Sequence, residues 1–470
     1  MLIREIAFLD PAEAAARLRP FGDLALLDSA MPHPTLGRHA FVAADPFSRV
    51  AVDRTGALVD GRRVAGPPIL AIRAALSRFR LEPRPDLPPF RGGALGHVAY
   101  EFAHHLERLD APTDIDAVQP SLRLGLYDTV VALDVIDKRA WLFASGFPEM
   151  EDDARRARAS ARLARFEAAL SGPAPPPPRR FAPPPGSIPV TSNFSPERFA
   201  AAVERVRDYI LSGDIYQANI AQTFEATLPA DFDAFAFHLA LRAANPAPFA
   251  AFLETGPLAV SASSPERFLK LLPGGRVETR PIKGTAARDL ADPLADARAA
   301  EALLASEKDR AENVMIVDLM RNDLSRVCEP DSVAVPVLCG LETYASVHHL
   351  TSVVTGRLAP GRDALDLLAA TFPGGSITGA PKIRAMDIIT QIEAAARGPY
   401  CGSIGYIGFD GAMDLNIAIR TVSMSGATAR FQAGGGITVL SDGAAEYRET
   451  LAKAGRILSA FGARPSAGSP

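Results

Sequence analysis

The segment from Gly172 to Gly186 is dominated by proline, which fixes φ and removes the amide hydrogen, so the run can join neither a helix interior nor a central strand. It favours extended polyproline geometry and reads as a linker. The expected division is an N-terminal region at 1–171, a linker at 172–190, a larger C-terminal region at 191–462 and a flexible tail at 463–470. A chain of 470 residues, 48% of them hydrophobic, has material for two or three domains of this kind.

On either side of the linker the texture is α+β. Glu151 to Ser171, rich in Ala and Arg, has the spacing of a surface helix, and Ile72 to Phe79 is also helical in pattern, whereas Thr129-Val-Val-Ala-Leu-Asp-Val is β-rich. Ser195-Pro196-Glu197 supplies a hydroxyl cap and a proline for the first turn of a further helix, with Phe199, Val203, Val206 and Ile210 along one stripe. Beyond the linker glycine-rich turns are denser, at Pro373-Gly-Gly, Gly402-Ser-Ile-Gly405 and Gly434-Gly-Gly436. Glycine lets backbone approach a ligand closely, so function is expected in this half.

The formal net charge of −4 excludes the basic field that binds nucleic acid. The first five residues carry charge, with neither a signal peptide nor a run long enough to span a bilayer. Cys328, Cys339 and Cys401 are scattered and lack metal-ligand spacing, as expected of reduced cysteines in a cytoplasmic enzyme.

Lys283 stands between Pro281-Ile282 and Gly284-Thr285, where stiff and small neighbours aim its amine; most lysines are solvated surface charges, but an amine aimed into a pocket can be a nucleophile. Glu312 shares a helical stripe with Met315, Ile316 and Leu319, so it is expected to be partly buried and to need a partner, a salt bridge to arginine or a metal fitting equally well. Glu446, Glu449 and Lys453 fall on one face of a helix whose core face is Tyr447, Leu451, Ala454 and Leu458. Glu449 and Lys453 suit a surface ion pair, and the glutamates equally suit Mg²⁺. Gly434-Gly435-Gly436 could cradle an anion but as a triplet reads more often as a tight turn. Arg420 could clamp a carboxylate, and His349 is the kind of histidine more often found satisfied in a core.

Read together, these residues carry a resemblance. The strings beginning at Ser212 (SGDIYQANIAQ), Ser264 (SPERF), Thr279 (TRPIKGT), Asp309 (DRAENVMIVDLMRND), Phe372 (FPGGSITGAPKIRAM), Cys401 (CGSIGY) and Ala433 (AGGGI) make the chain from Ser195 to about Leu458 similar to the chorismate-utilising enzymes. The resemblance implies orthogonally packed antiparallel sheets flanked by helices. It implies Mg²⁺ on Glu312 and Glu449, with Glu446 beside them, holding the ring carboxylate of chorismate. It implies Tyr400, Arg420 and the amides of Gly434 to Gly436 on the enolpyruvyl carboxylate, with Lys453, Ser376 and His349 completing the pocket, and Glu266 as general acid.

Members that add water carry a lysine base where this chain has Gln217, so the resemblance points to the branch that adds ammonia. Within that branch, enzymes that aminate C2 usually have alanine at the position of Lys283 and those that aminate C4 have lysine, a nucleophile that attacks C2 before ammonia enters C4. None of the three cysteines lies in the Gly-x-Cys-x-Gly turn of a glutaminase, so ammonia from glutamine implies a separate amidotransferase subunit. In the N-terminal region Leu27, Asp28 and Ser29 resemble a tryptophan-pocket segment, with Asp28 where glutamate is usual. Phe90 to Glu101 is also family-like and is expected to pack this region on the rest.

Overall fold

The computed structural model describes residues 1–463 apart from 116–119, 174, 177–180, 184–185, 187 and 345–346. Part of the linker and nearly all of the expected tail therefore lie outside the described residues. Among the described residues, two antiparallel sheets of twelve strands each are flanked by helices. Both sheets take strands from either side of the proline-rich segment: Ala25–Asp28 pairs with Phe249–Thr255 in one, and Gly93–Val98 with Ser403–Gly408 in the other. Residues 1–171 and 191–462 thus share their sheets.

The β-rich run at Thr129–Asp134 shows why its sequence is continuously apolar. Side chains alternate between the faces of a strand. Val130 and Ala132 enter the core between the two sheets with Phe41, Leu95 and Tyr406, while Val131 and Leu133 enter a second core on the opposite face, beneath the helix Asp152–Ser171. The helix Pro196–Leu211 starts as expected, with the Ser195 hydroxyl accepting from Arg198 N, and buries Phe199, Val203 and Val206. Cys328, Cys339 and Cys401 are all free and buried.

Of the places where the chain passes from one sheet to the other, two corners lie together. Leu258–Ser264 lies in the first sheet and Arg267–Leu271 in the second, so the chain changes sheet at Pro265-Glu266. Met413–Asn416 and Thr421–Ser425 make the reverse change through residues 417–420. The corners are tied together, Ile417 N donating to Glu266 O at 3.0 Å and Ser263 N to Arg420 O at 3.1 Å. Arg420 has φ of 52°, a left-handed conformation that is uncommon for a residue with a side chain and typical of functional bends.

Beneath these corners Arg397, 3% exposed, binds four parts of the chain. Its guanidinium pairs with Glu393 at 2.6 Å and donates to Ile377 O at 2.9 Å and Asn219 O at 2.6 Å. Its backbone N–H donates to buried Glu101 at 2.7 Å, and Gly398 N donates to the other oxygen of the same carboxylate at 2.9 Å. Glu101 closes the Phe90–Glu101 segment, so this contact adds to the shared sheets in holding the N-terminal region on the rest. Breaking a buried ion pair by removing one partner leaves an uncompensated charge. Arg397→Met is expected to lower unfolding free energy by about 3–5 kcal/mol, measured by urea denaturation near pH 7.5.

Candidate active site

A cavity of about 510 Å³ opens beside the two corners. It is lined by Glu266, Lys283, Glu312, His349, Ser376, Tyr400, Arg420, Gly434 to Gly436, Glu446, Glu449 and Lys453, so these residues expected from sequence meet in one place. Gln217 stands just behind the wall: a Cβ added to Gly436 would lie 2.1 Å from its Nε2. Its Oε1 is buried without a hydrogen-bond partner.

The glycine triplet is part of the strand Thr428–Ile437 rather than a turn, paired throughout with Gln217–Thr227. Two of its glycines are needed for clearance, since a Cβ on Gly434 would lie 2.3 Å from Ile220 O and one on Gly436 2.1 Å from Gln217 Nε2, while Gly435 faces the cavity. A Cβ on Gly435 would come within 3.3 Å of Glu446 Oε2, 3.6 Å of Glu449 Oε1 and 3.6 Å of Lys453 Nζ. On its other side the strand outruns its neighbour, whose pairing ends at Phe431, and Gly434 O is free to accept from Lys453 Nζ at 2.9 Å.

Lys283 enters from the strand Ile282–Ala287 and lies 4.0 Å from Glu312 Oε2, the partner that sequence reasoning left open between an arginine and a metal. Burial pushes its pKa down; Glu312 opposes that shift and Lys453 adds to it. Gly284 beside it has φ of +85°, and a Cβ there would sit 2.9–3.0 Å from Leu303 and Asp309, so glycine lets this strand press against the helix Glu307–Ser325. Glu312 is only 13% exposed, and burial raises its pKa against the pull of Lys283 and Lys308.

Glu266, 5% exposed at its corner, has its pKa pushed up to about 7 by burial, partly offset by a hydrogen bond with Ser376 and by the charge of Lys283. His349 is held down to about 4, chiefly by burial and then by the charge of Arg420, and shares a 2.8 Å hydrogen bond with Thr285 Oγ1. It is therefore neutral at physiological pH, and it is both buried and cavity-lining. Burial likewise lowers the pKa of Arg420, which has no carboxylate partner among the described residues. A half-buried guanidinium without a counter-charge is a strong invitation to an anionic ligand. Burial works to raise the pKa of Glu449, but the charge and hydrogen bond of Lys453, 2.7 Å away, bring it below the usual value.

Among the described residues no three Asp, Glu, His or Cys side chains are grouped closely enough to form a ready metal cage. The donor chemistry is nonetheless that of a hard cation, since Glu446 and Glu449 face the same clearing above Gly435, with Glu312 in the same cavity.

Sequence reasoning missed Asn219, Lys308, Asp309 and Gln432, which also line the cavity. Asp309 had a signal, lying one turn before Glu312 on the same helix. Gln432 had none, because its placement depends on its bond to Arg397 O at 3.1 Å.

The N-terminal candidates lie elsewhere. Leu27 and Asp28 line a separate cavity of about 60 Å³, far smaller than the first, while Ser29 is absent from its walls and donates to His39 O at 2.7 Å. Asp28 is occupied by Arg242 at 2.5 Å.

Residues 41–459 match the model of the chorismate binding enzyme family. The chain is 42% identical over 443 residues to aminodeoxychorismate synthase component 1 of Klebsiella aerogenes, covering 92% of each chain. It is 39% identical over 447 residues to anthranilate synthase component 1 of Streptomyces coelicolor, covering 93% of this chain and 83% of that one. Among solved structures, anthranilate synthase component I from Streptococcus pneumoniae matches with a TM-score of 0.75 at 31% identity, covering 90% of this chain and 92% of that one. The chain belongs to the chorismate binding enzyme family.

The raised pKa of Glu266 sets a stability sign. Between an ordinary value of 4.5 and about 7 the folded protein holds a proton that the unfolded chain has lost, so stability falls as pH rises through this window. Glu266→Gln removes that cost and is expected to be more stable than wild type at pH 8, by up to about 3 kcal/mol, with the difference gone near pH 4. Thermal or urea unfolding at the two pH values checks it.

Proposed function

We propose that this chain has the activity of an aminodeoxychorismate synthase component 1, converting chorismate and ammonia to 4-amino-4-deoxychorismate for 4-aminobenzoate and folate synthesis in the cytoplasm. One observation carries the choice: Lys283 is a cavity lysine whose burial favours its neutral, nucleophilic form. Relatives bearing the anthranilate synthase name are almost as similar in sequence, so overall identity decides less than this residue.

In this reading Arg420, Tyr400 and the amides of Gly434 to Gly436 hold the enolpyruvyl carboxylate, and Lys453, Ser376 and His349 complete the pocket. Glu312, Glu446 and Glu449 would hold Mg²⁺, which when bound supplies positive charge for the ring carboxylate. Glu266, with a pKa of about 7, is still substantially protonated near neutral pH and gives its proton to the C4 oxygen, which leaves as water. As that bond breaks, the Lys283 amine forms a bond to C2 and the ring double bonds shift. Ammonia then bonds to C4, the double bonds shift back, and the C2–N electron pair returns to Lys283. The new C4 ammonium gives a proton to Glu266, which restores both side chains and leaves water as the only by-product.

Purified chain incubated with chorismate, Mg²⁺ and ammonium at mildly alkaline pH is expected to yield a product that mass spectrometry shows to retain the enolpyruvyl group. Anthranilate as main product would overturn the reading. Lys283→Ala is expected to lose about 100-fold or more in turnover with its fold intact by circular dichroism.

The chain is expected to use ammonium alone, and to use glutamine only with a separate amidotransferase subunit. All three cysteines are buried, and burial raises the pKa values of Cys328 and Cys401, to about 11 and about 12, the reverse of an activated thiolate. Product formed from glutamine by the rigorously purified single chain would contradict this.

A further inference from the structure

Lys308 is a cation in the first turn of the helix Glu307–Ser325, the end of a helix that favours negative charge. Glu307 and Asp309 on either side obey that preference. What holds Lys308 lies across the cavity mouth: its Nζ is 3.7 Å from Glu446 Oε1, on a helix that begins at Gly443. The two ends differ in setting. The lysine is 47% exposed, whereas Glu446 is 5% exposed and also accepts from Ser441 Oγ at 2.7 Å. The positive charge of Lys308 also reaches Glu312 and Glu449, favouring their ionised forms. One half-exposed ammonium thus pairs with Glu446 and adds to the charge that Lys283 and Lys453 already bring to Glu312 and Glu449, the three carboxylates that the proposed function gives to a divalent cation.

We propose that Lys308 is a placeholder cation: it neutralises Glu446 in the ion-free enzyme and must release it when a divalent cation binds, which weakens the site for that cation. The inference rests on the assignment of Glu312, Glu446 and Glu449 to the metal. It makes Lys308 a positioning residue that sets cation affinity, with no part in the bonds made and broken on the ring.

Mn²⁺ binding followed by electron paramagnetic resonance, without chorismate, tests it independently of turnover. Lys308→Met keeps the aliphatic stem and removes a charge from the wrong end of a helix, so folding is expected to be undisturbed. It is expected to bind Mn²⁺ about two- to fivefold more tightly than wild type, the scale of an ion pair with one exposed end. The gap should narrow at high salt, and Lys308→Arg should resemble wild type. Equal or weaker binding by Lys308→Met, with Glu449→Gln weaker than both, overturns the placeholder role and leaves the metal assignment standing. If wild type and Lys308→Met both bind no better than Glu449→Gln, the metal assignment fails and the inference fails with it.

Discussion

The buried Arg397 guanidinium is the constraint on which the rest of the site depends. A charge this deep is tolerable only when every donor is used, and its partners come from segments far apart in sequence: Glu393, Ile377, Asn219 and, through its backbone N–H, Glu101. Three residues of the cavity wall are set by the same node, because Asn219 and Ile377 accept from it and Gln432 donates to its carbonyl. The ring of Tyr100 lies 4.7 Å from the guanidinium and that of Tyr400 5.9 Å, adding cation–π contact from both halves of the chain. The node therefore joins the N-terminal region to the floor of the active site, and the shape of one follows from the docking of the other.

Above that floor the site is made where the chain changes sheet. Strands that cross between packed sheets must bend, and the bend frees side chains from the alternation that would send them into a core or onto a face. Glu266 and Arg420 occupy two such bends, bonded to each other's backbone neighbours. Their placement gives them opposite problems of burial: a carboxyl driven toward its neutral form and a guanidinium left without a counter-charge. Around them Lys283 with Glu312 and Lys453 with Glu449 neutralise each other at graded exposure, so the cavity holds many charges without a large net field. An anionic group would satisfy Arg420, which has no carboxylate partner among the described residues.

Much of this was legible in the chain. The helical stripe Met315, Ile316 and Leu319 already required that Glu312 be partly buried, because side chains three and four residues apart share a face, and the structure leaves it 13% exposed. The motif strings marked Glu266, Lys283, Glu312, Ser376 and the glycine triplet, which line the cavity, whereas His349, Arg420, Glu446, Glu449 and Lys453 lie outside those strings. What periodicity could not show was the partner of Glu312, since an ion pair between strand and helix depends on how the two pack. Nor could it show that Gly434 to Gly436 is strand, because glycine triplets are common in turns and only the pairing with Gln217–Thr227, which brings Ile220 O and Gln217 against Gly434 and Gly436, demands positions without Cβ atoms.

The sequence by itself determined the local elements and the side chains available for chemistry, because these depend on residue type and short-range spacing. Only the tertiary structure decided that the two sides of a proline-rich segment share both sheets, that Arg397 binds them together, and that Lys308 reaches Glu446. Those facts arise from contacts between residues hundreds of positions apart or on separate helices, and no local pattern encodes where such elements meet.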